Sequence, residues 1–415
     1  MRNIFDQYEQ PENRLTHALA TVLDKDRSLL VPFLRWLGIH DIPKARTLAI
    51  TEQQVPGLLQ EEADETKKQG LPDAAVFDEN NWAVLFESKV QAHFSLNQLK
   101  RHRETAARHG FESPWVVVMS VDELSCQLPD RTIAKTWKDV YSWFNLRASE
   151  HNWARELVQY VQVFEQKMLL QEYHIRGTIT VFDGLRFNDE NPYTYREGKR
   201  LIRLLGDMLQ KRRDLEVIGA DPKGHRRPAI TGKGTDGVWD FIPLSVARGK
   251  PFTEFPHLTI AINRSHAIAA VTVPNGVRGG FKSKLTSVGL QGFLKIVEDI
   301  EKRVRPVVNR SNAAQPMIYV TQRHFQSQRS KASTDARLEA DLRTGCRSTQ
   351  SGIRYQPEWL EAVYHILIKK RSNIQLGIEV RFDYACPLVQ SREAEELFAE
   401  TWKAFSPLIG FALQA

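Results

Sequence analysis

Two carboxylates and a lysine stand close together in the first quarter of the chain. Asp73 opens a short apolar stretch, Glu87 and Lys89 end a second one, and turn-forming residues occupy 78–81 between them. Mg²⁺ binds oxygen ligands, usually one or two carboxylates together with water and substrate phosphate. The metal polarises a phosphodiester and lowers the pKa of a bound water, while a nearby lysine positions that water. These residue types therefore predict a divalent-metal site that acts on phosphate esters.

A hairpin of two strands is needed to bring these side chains together. Residues 73–78, which are rich in Ala, Val and Phe, predict one strand, and residues 82–90 predict the second. Side chains along a strand alternate between its two faces, so Glu87 and Lys89 project side by side from the end of an otherwise apolar strand. Asp73 opens the partner strand and comes close to them. The alternative is an exposed sheet edge that carries these charges.

The stretch before the hairpin predicts an amphipathic helix over residues 12–23, because its apolar side chains fall at helical spacing. Pro11 suits the start of a helix, and Glu12 stands in the first turn. If the face that carries Glu12 looks towards Asp73, this carboxylate orders the metal or its waters. The alternative is that Glu12 only stabilises the positive end of the helix dipole.

The stretch after the hairpin predicts a basic helix that begins after Ser95, a good N-cap residue. Gln98 and Arg101 share one face of this helix, and Lys100 adds a further positive charge. Basic side chains beside a phosphodiester site position the nucleic-acid backbone. The alternative is a solvent-exposed helix that carries charge. The histidines of this region form no convincing ligand set: His93, His102 and His109.

The order of these features resembles the signature of the PD-(D/E)xK nuclease superfamily. Pro72-Asp73 is followed by thirteen residues and then by Glu87-Ser88-Lys89. A helix with an early acid, Glu12, precedes this motif, a helix with Gln98 follows it, and an apolar strand at 114–119 comes next. The resemblance implies a restriction-endonuclease-like α/β core, in which helices flank a central mixed sheet.

The same resemblance implies Mg²⁺-dependent cleavage of nucleic acid, with Mn²⁺ as a substitute metal. Asp73 and Glu87 then bind the metal, and Glu12 supports the metal shell. Lys89 orients or helps to activate the attacking water. Gln98 holds Lys89, the water or a phosphate.

Length and composition predict two domains, which we place at residues 1–173 and 174–415. Hydrophobic residues make up 42% of the chain and charged residues 26%, as in an ordinary globular protein. The chain has 57 Lys and Arg against 50 Asp and Glu, a net charge of +7. This excess permits an anionic partner such as nucleic acid but does not require one.

The cysteines are Cys126, Cys346 and Cys386, which are too widely spaced for a zinc pattern or a disulfide framework. They favour a reducing cytoplasm. The first residues lack the apolar core of a signal peptide, and no apolar stretch has the length of a membrane span. We therefore expect a cytoplasmic protein without a membrane partner.

The second half predicts a mixed α/β or α+β domain that opens with a strand at 178–182. Two polar segments within it, 221–237 and 322–331, are rich in positive charge. Such side chains neutralise phosphates, and a phenylalanine among them stacks on a base. The alternative for both segments is a solvated polar loop. The candidate contacts are Arg226, Arg227 and Lys233 in the first segment and Arg323, Phe325, Arg329 and Lys331 in the second.

Together these features predict a metal-dependent endonuclease, with DNA favoured over RNA as its substrate. The superfamily resemblance implies a bacterial role in restriction, repair or phage defence. By analogy, a partner protein such as a guide-loaded Argonaute switches the enzyme on, and a homodimer suits the cutting of two strands. The rival is a non-catalytic nucleic-acid-binding or scaffold protein that keeps the nuclease core as a platform.

Overall fold

The chain forms two compact units, Met1–Val181 and Phe182–Ala415. Each unit contains a hydrophobic core of its own. The division falls after the predicted domain boundary at 173/174. The computed structural model describes residues 5, 8, 10–53, 71–170, 177–226, 236–274, 280–312, 314–327, 333–345, 357–369 and 373–414.

The described part of the first unit alternates helices with short strands. In chain order these are α1 (Pro11–Lys25), α2 (Arg27–Leu37), β1 (Ala49–Glu52), β2 (Ala74–Phe77), β3 (Ala83–Lys89), α3 (Leu96–Arg108), β4 (Trp115–Ser120), β5 (Thr132–Thr136), α4 (Trp137–Asn145) and α5 (Asn152–Leu170). The glycine after α2, Gly38, has a φ of 100°, a left-handed conformation that ends the helix and that favours glycine.

The strands of the first unit form one mixed sheet in the order β1-β2-β3-β4-β5. The pairs β1–β2 and β2–β3 are antiparallel, whereas β3–β4 and β4–β5 are parallel. A parallel pair requires a crossover connection, and α3 supplies it between β3 and β4. The strand β3 is therefore central and paired on both sides, which contradicts the alternative of an exposed, charged sheet edge.

The alternation of side chains along β3 separates two cores, as predicted. Val84 and Phe86 pack in the larger core with side chains of α1, α2, α4 and α5. Ala83 and Leu85 pack in a smaller core with Leu99 of α3. The sheet is thus covered on both faces, and the charged end of β3 meets α3 on the smaller-core side.

The predicted strand at 178–182 does not form, and this expectation was wrong. Ile179 packs in the core of the first unit. Its backbone N–H donates to the buried carboxylate of Glu165 on α5 at 2.8 Å, and the Thr180 hydroxyl donates to the same carboxylate. The Glu165 carboxylate of α5 thus satisfies these polar groups. Residues 178–182 are therefore held against a helix and do not pair with a strand of the described sheets.

The second unit is a helix-backed antiparallel sheet. Its described elements are α6 (Tyr195–Gln210), β6 (Gly237–Pro243), β7 (His257–Asn263), β8 (His266–Val273), α7 (Phe281–Arg310), β9 (Gln315–His324), β10 (Ser333–Asp341), α8 (Pro357–Lys369), β11 (Ile374–Asp383), α9 (Ala394–Ala404) and α10 (Ser406–Leu413). The strand order is β10-β9-β11-β8-β7-β6, and every neighbouring pair is antiparallel.

One face of this second sheet carries the core. Ile260, Val271 and Ile378 point into it and pack with side chains of the helices, among them Phe293 of α7 and Trp402 of α9. The predicted polar loop at 322–331 is partly wrong, because its first three residues continue β9 and pair with β11 and β10. The mixed α/β class predicted for the chain is confirmed. None of the described helices has the length and apolarity needed to cross a membrane.

Candidate active site

The structure brings Asp73, Glu87 and Lys89 together where β3 ends. The Asp73 backbone N–H donates to the Phe86 carbonyl at 3.0 Å, so Asp73 extends the pairing of β2 with β3 by one residue. Its carboxylate oxygen Oδ2 accepts a hydrogen bond from the Ser88 N–H at 2.6 Å. The Lys89 ammonium Nζ lies 2.5 Å from Glu87 Oε1. The acid and the base on one strand face thus form a direct ion pair.

The Glu87 carboxylate is held inside the protein by three side chains. The residue is 2% exposed. Its Oε1 accepts hydrogen bonds from Lys89 Nζ at 2.5 Å and from Gln98 Nε2 at 2.6 Å, and its Oε2 lies 2.8 Å from His102 Nε2. A charge buried this deeply is stable only with such donors around it. Gln98 therefore lies at the site, as predicted.

His102 belongs to the site, although the sequence reasoning dismissed it as a ligand. It is 1% exposed and follows Gln98 by four residues on α3, so both side chains lie on the face that meets Glu87. The four-residue spacing from Gln98 was the signal available in the sequence. Arg101, which was assigned to this face, is exposed, as is Lys100, whose Nζ lies 3.8 Å from the carboxylate of Glu104.

The surroundings of Asp73 change its pKa strongly. Burial, together with the negative charge of Glu87, raises the pKa of Asp73 from 3.8 to about 7, although the Ser88 N–H and the charges of Lys89 and His102 oppose the shift. Two carboxylates that share a poorly hydrated site resist carrying two negative charges. A carboxyl group that titrates near neutral pH is typical of a functional site.

Glu12 reaches the backbone just beyond β3. Its Oε1 accepts hydrogen bonds from the N–H groups of Val90, Gln91 and Ala92 at 3.2, 2.7 and 3.0 Å. Burial raises the pKa of Glu12, but these backbone hydrogen bonds outweigh it and the net shift is downward. The carboxylate thus fastens the first turn of α1 to the segment that follows Lys89. Across the described ranges, no three His, Cys, Asp or Glu side chains meet as a preformed metal cluster.

The opposite face of β3 is fixed by Ser88. Its hydroxyl accepts a hydrogen bond from the indole Nε1 of Trp137 at 3.1 Å, and both residues are buried. Trp137 opens α4, whose start is set by a capping box between Thr136 and Asp139. The end of β3 is therefore held from both faces of the sheet, which keeps Glu87 and Lys89 in place.

The candidate nucleic-acid contacts of the second unit differ in their exposure to solvent. Arg226 is an internal group, with a side chain that is 10% exposed and an Nη2 that lies 2.9 Å from Asp207 and 3.3 Å from Asp240. This geometry does not favour a contact with nucleic acid. Arg323 lies half-buried on β9, and Phe325 follows that strand and is 50% exposed. The remaining candidates lie outside the described residues: Arg227, Lys233, Arg329 and Lys331.

The donor set fits a hard divalent cation. Asp73 and Glu87 supply carboxylate oxygens, which are the ligands that Mg²⁺ prefers. Burial and, after it, the negative charge of Glu87 raise the pKa of Asp73, and a cation bound by the two carboxylates would favour their charged forms. No protein-family model, no curated protein and no solved structure matches this chain.

Proposed function

We propose that the first unit is a Mg²⁺-dependent nuclease that hydrolyses phosphodiester bonds of nucleic acid, with DNA as the favoured substrate. The observation that carries this proposal is the buried Glu87 carboxylate, which has Lys89 Nζ at 2.5 Å and the half-buried carboxyl group of Asp73 beside it. The group lies at the carboxyl ends of the parallel strands β3 and β4, where sites in α/β sheets commonly form.

The arrangement of the elements supports a restriction-endonuclease-like core. The antiparallel strands β1, β2 and β3 lead into the parallel strands β4 and β5. The helix α1 packs on one face of this sheet and α3 on the other. A mixed sheet flanked by helices is what the resemblance to the PD-(D/E)xK superfamily implies, and it supports the proposal. Glu12 lies on α1, Glu87 and Lys89 lie on β3, and Gln98 lies on α3, whereas Asp73 directly precedes β2.

The residues have separable tasks in this proposal. Asp73 and Glu87 would hold Mg²⁺, which supplies Lewis acidity to the scissile phosphate and acidity to its bound water. Lys89 places a positive charge beside the phosphate and orients the attacking water. Gln98 and His102 hold Glu87 in one orientation, because they donate to its two different oxygens. Glu12 keeps the backbone beyond Lys89 in place.

A cleavage time course tests the proposal. Plasmid DNA, single-stranded DNA and RNA are each incubated with the full chain in Mg²⁺, Mn²⁺ or EDTA. We expect cutting that requires the metal and that disappears in the Asp73→Asn and Lys89→Ala variants. Glu104→Gln, an exposed change on α3, is the matched control and should cut like the wild type. Cutting in EDTA would contradict the metal dependence, and undiminished cutting by Asp73→Asn would remove Asp73 from the catalytic site.

A second candidate function is a nucleic-acid-binding or scaffold protein on the same core. The observation that favours it is that three protein donors already surround the Glu87 carboxylate, as in a purely structural buried charge. A gel-shift experiment on the same samples separates the two functions. Binding that EDTA leaves unchanged, with no cleavage of any substrate by the purified protein, supports this second function.

We further propose, by analogy alone, that the nuclease serves bacterial defence and that a partner such as a guide-loaded Argonaute activates it. Affinity capture of the tagged protein from its native host, followed by mass spectrometry, tests for that partner. Size-exclusion chromatography with light scattering tests for a homodimer. If the captured protein is alone and cuts at full rate without any addition, the activator proposal fails while the nuclease proposal stands.

A further inference from the structure

The face of the second sheet opposite its core holds a cavity. Its volume is about 650 Å³, which is in the range of small-molecule and cofactor sites. Side chains of β6, β7, β8, β9, β10 and β11 reach into it, together with those of the segment before β7. Their chemistry differs between the two ends of the cavity.

One end is aromatic. It is lined by Trp239 of β6, by Phe252 in the segment before β7, and by His257 of β7. Phe241 packs behind them, and its ring is stacked on that of Phe252 with the two ring centroids 4.8 Å apart. His257 donates its Nδ1 proton to the Phe255 carbonyl at 3.1 Å. Burial lowers the pKa of His257 to about 4, so the ring is neutral and its Nε2 is a hydrogen-bond acceptor. This end therefore offers flat rings, with the Glu254 side chain among the groups that line it.

The other end is charged, with the cations Arg323 and Arg337 and the carboxylate of Glu379, which pairs with Arg381 at 2.6 Å and lies 3.8 Å from Arg337. Arg337 lies over the ring of Tyr319 at 4.2 Å and pairs with Glu339 at 2.6 Å. Arg323 is different, because no carboxylate in the described part of the chain forms an ion pair with it. Burial and the nearby charge of Arg337 lower the pKa of Arg323. Arg323 is thus a half-buried cation at the cavity wall, and an anion that enters the cavity would compensate it.

The distance between the ends limits the ligand. His257 on β7 is in register with Tyr319 on β9, and the two strands are separated by β8 and β11 and therefore by roughly 14 Å at the usual strand spacing. Arg323 lies four residues beyond Tyr319 on β9, roughly 13 Å along the strand, so the backbones of His257 and Arg323 are roughly 19 Å apart. Side chains from both ends shorten this span. Between them lie groups that hydrogen-bond, namely Thr259, whose hydroxyl is 2.8 Å from that of Thr272, and Gln375.

We propose that this cavity binds a nucleotide as a free small molecule, with its base on the aromatic end and its phosphate at Arg323. A purely apolar ligand would leave Arg323 without a counter-charge, and a simple inorganic anion would leave the aromatic end bare. The ribose hydroxyls meet the threonine hydroxyls and Gln375 in the middle of the cavity. The proposal stands independently of the nuclease assignment, since all of these residues belong to the second unit.

Isothermal titration calorimetry of the full chain tests the proposal in EDTA, which removes any contribution of a metal site. The probes are AMP, GMP, CMP, UMP and ATP, with adenosine and pyrophosphate as the two fragments. We expect at least one nucleotide to bind more tightly than either fragment. Fluorescence anisotropy with a labelled single DNA strand distinguishes a free nucleotide from nucleic acid. The proposal is overturned if no nucleotide binds, or if only the DNA strand binds.

Matched variants locate the binding. Arg323→Gln and Trp239→Leu should each weaken the nucleotide by about tenfold or more, because each removes one principal contact. Arg305→Gln, on the exposed surface of α7, is the control and should bind like the wild type. Thermal midpoints show that the variants are folded, and Arg323→Gln should not lower the midpoint because its guanidinium forms no ion pair with any carboxylate among the described residues. Unchanged affinity in both cavity variants would place the nucleotide elsewhere.

Discussion

Glu87 shows how a single side chain can hold a charge inside a protein. Its carboxylate is 2% exposed, yet both oxygens have donors from β3 and α3. Lys89 alone would leave Oε2 without a partner, and His102 supplies the missing contact. An unpaired buried charge costs several kcal/mol, so the three donors are needed for the fold as well as for any chemistry.

Removal of His102 should therefore affect stability and activity together. His102→Ala leaves Glu87 Oε2 without its 2.8 Å partner, and we expect the free energy of unfolding to fall by about 2 kcal/mol. Urea denaturation measures this loss, and kcat for DNA cleavage should fall as well. His93→Ala, at an exposed position, should change neither quantity. A His102→Ala protein with wild-type stability would show that the contact is dispensable.

The titration of Asp73 predicts an unusual dependence of stability on pH. Its folded-state pKa of about 7 lies above the ordinary 3.8, so the folded protein holds this proton more tightly than the unfolded chain. Between about pH 4 and pH 7, this group therefore removes stability as the pH rises. The Asp73→Asn variant lacks the titration and should exceed the wild type by on the order of 3 kcal/mol at pH 8.

Guanidinium denaturation in EDTA at pH 4 and pH 8 measures this difference. The two proteins should differ in stability by less than about 1 kcal/mol at pH 4, because Asp73 is protonated in the folded wild type and about half protonated in the unfolded chain. The asparagine keeps an oxygen for the Ser88 N–H, so the hydrogen bond is retained. A difference that does not grow between pH 4 and pH 8 would contradict the raised pKa of Asp73.

At the scale of the elements, Glu12 couples the start of α1 to the end of β3. Since the net shift lowers its pKa, the charged form stabilises the fold above about pH 4.5, and this contribution disappears as the pH falls through the folded-state pKa. Glu12→Gln keeps an acceptor but loses the charge. We expect a loss of about 1 kcal/mol at pH 7 that becomes smaller as the pH falls below about 4.5, measured by urea denaturation.

The Glu12→Gln variant also separates two functions of this side chain, the stabilisation of α1 and the placement of the backbone after Lys89. If Glu12 only favoured the helix dipole, Glu12→Gln would reduce stability without changing the KM for Mg²⁺. Because its carboxylate fixes the backbone after Lys89, we expect the KM for Mg²⁺ to rise in the same variant. The exposed change Glu104→Gln serves as the reference for both measurements. An unaltered KM would assign Glu12 to the stability of α1 alone.

The elements that place the site were predictable because their signals are local. An apolar run that follows turn-forming residues identifies β3, and apolar side chains at helical spacing identify α1. Two missed strands lack such signals. All residues of β5 are half-buried, and the first five residues of β10 are exposed and mostly polar, so these strands depend on pairing with distant partners. His102 was missed for a similar reason, since its role depends on the packing of α3 against β3.

At the scale of the whole molecule, the two units carry different chemistry on different kinds of sheet. The first sheet is mixed and covered on both faces, so its polar site lies at the strand ends. The second sheet is antiparallel, and the face opposite its core is lined by aromatic and charged side chains around a cavity. Antiparallel sheets tolerate such an open face, whereas parallel strands are usually buried on both sides.

This separation predicts what a fragment of the chain can do. Residues 1–181 contain the candidate catalytic residues and a hydrophobic core of their own, so they should fold when expressed alone. Circular dichroism and a cooperative thermal transition measure folding. The fragment should cut DNA with Mg²⁺ at a rate of the same order as the full chain, and it should not bind nucleotides in calorimetry. A folded fragment that fails to cut, beside an active full chain, would show that residues of the second unit take part in cleavage.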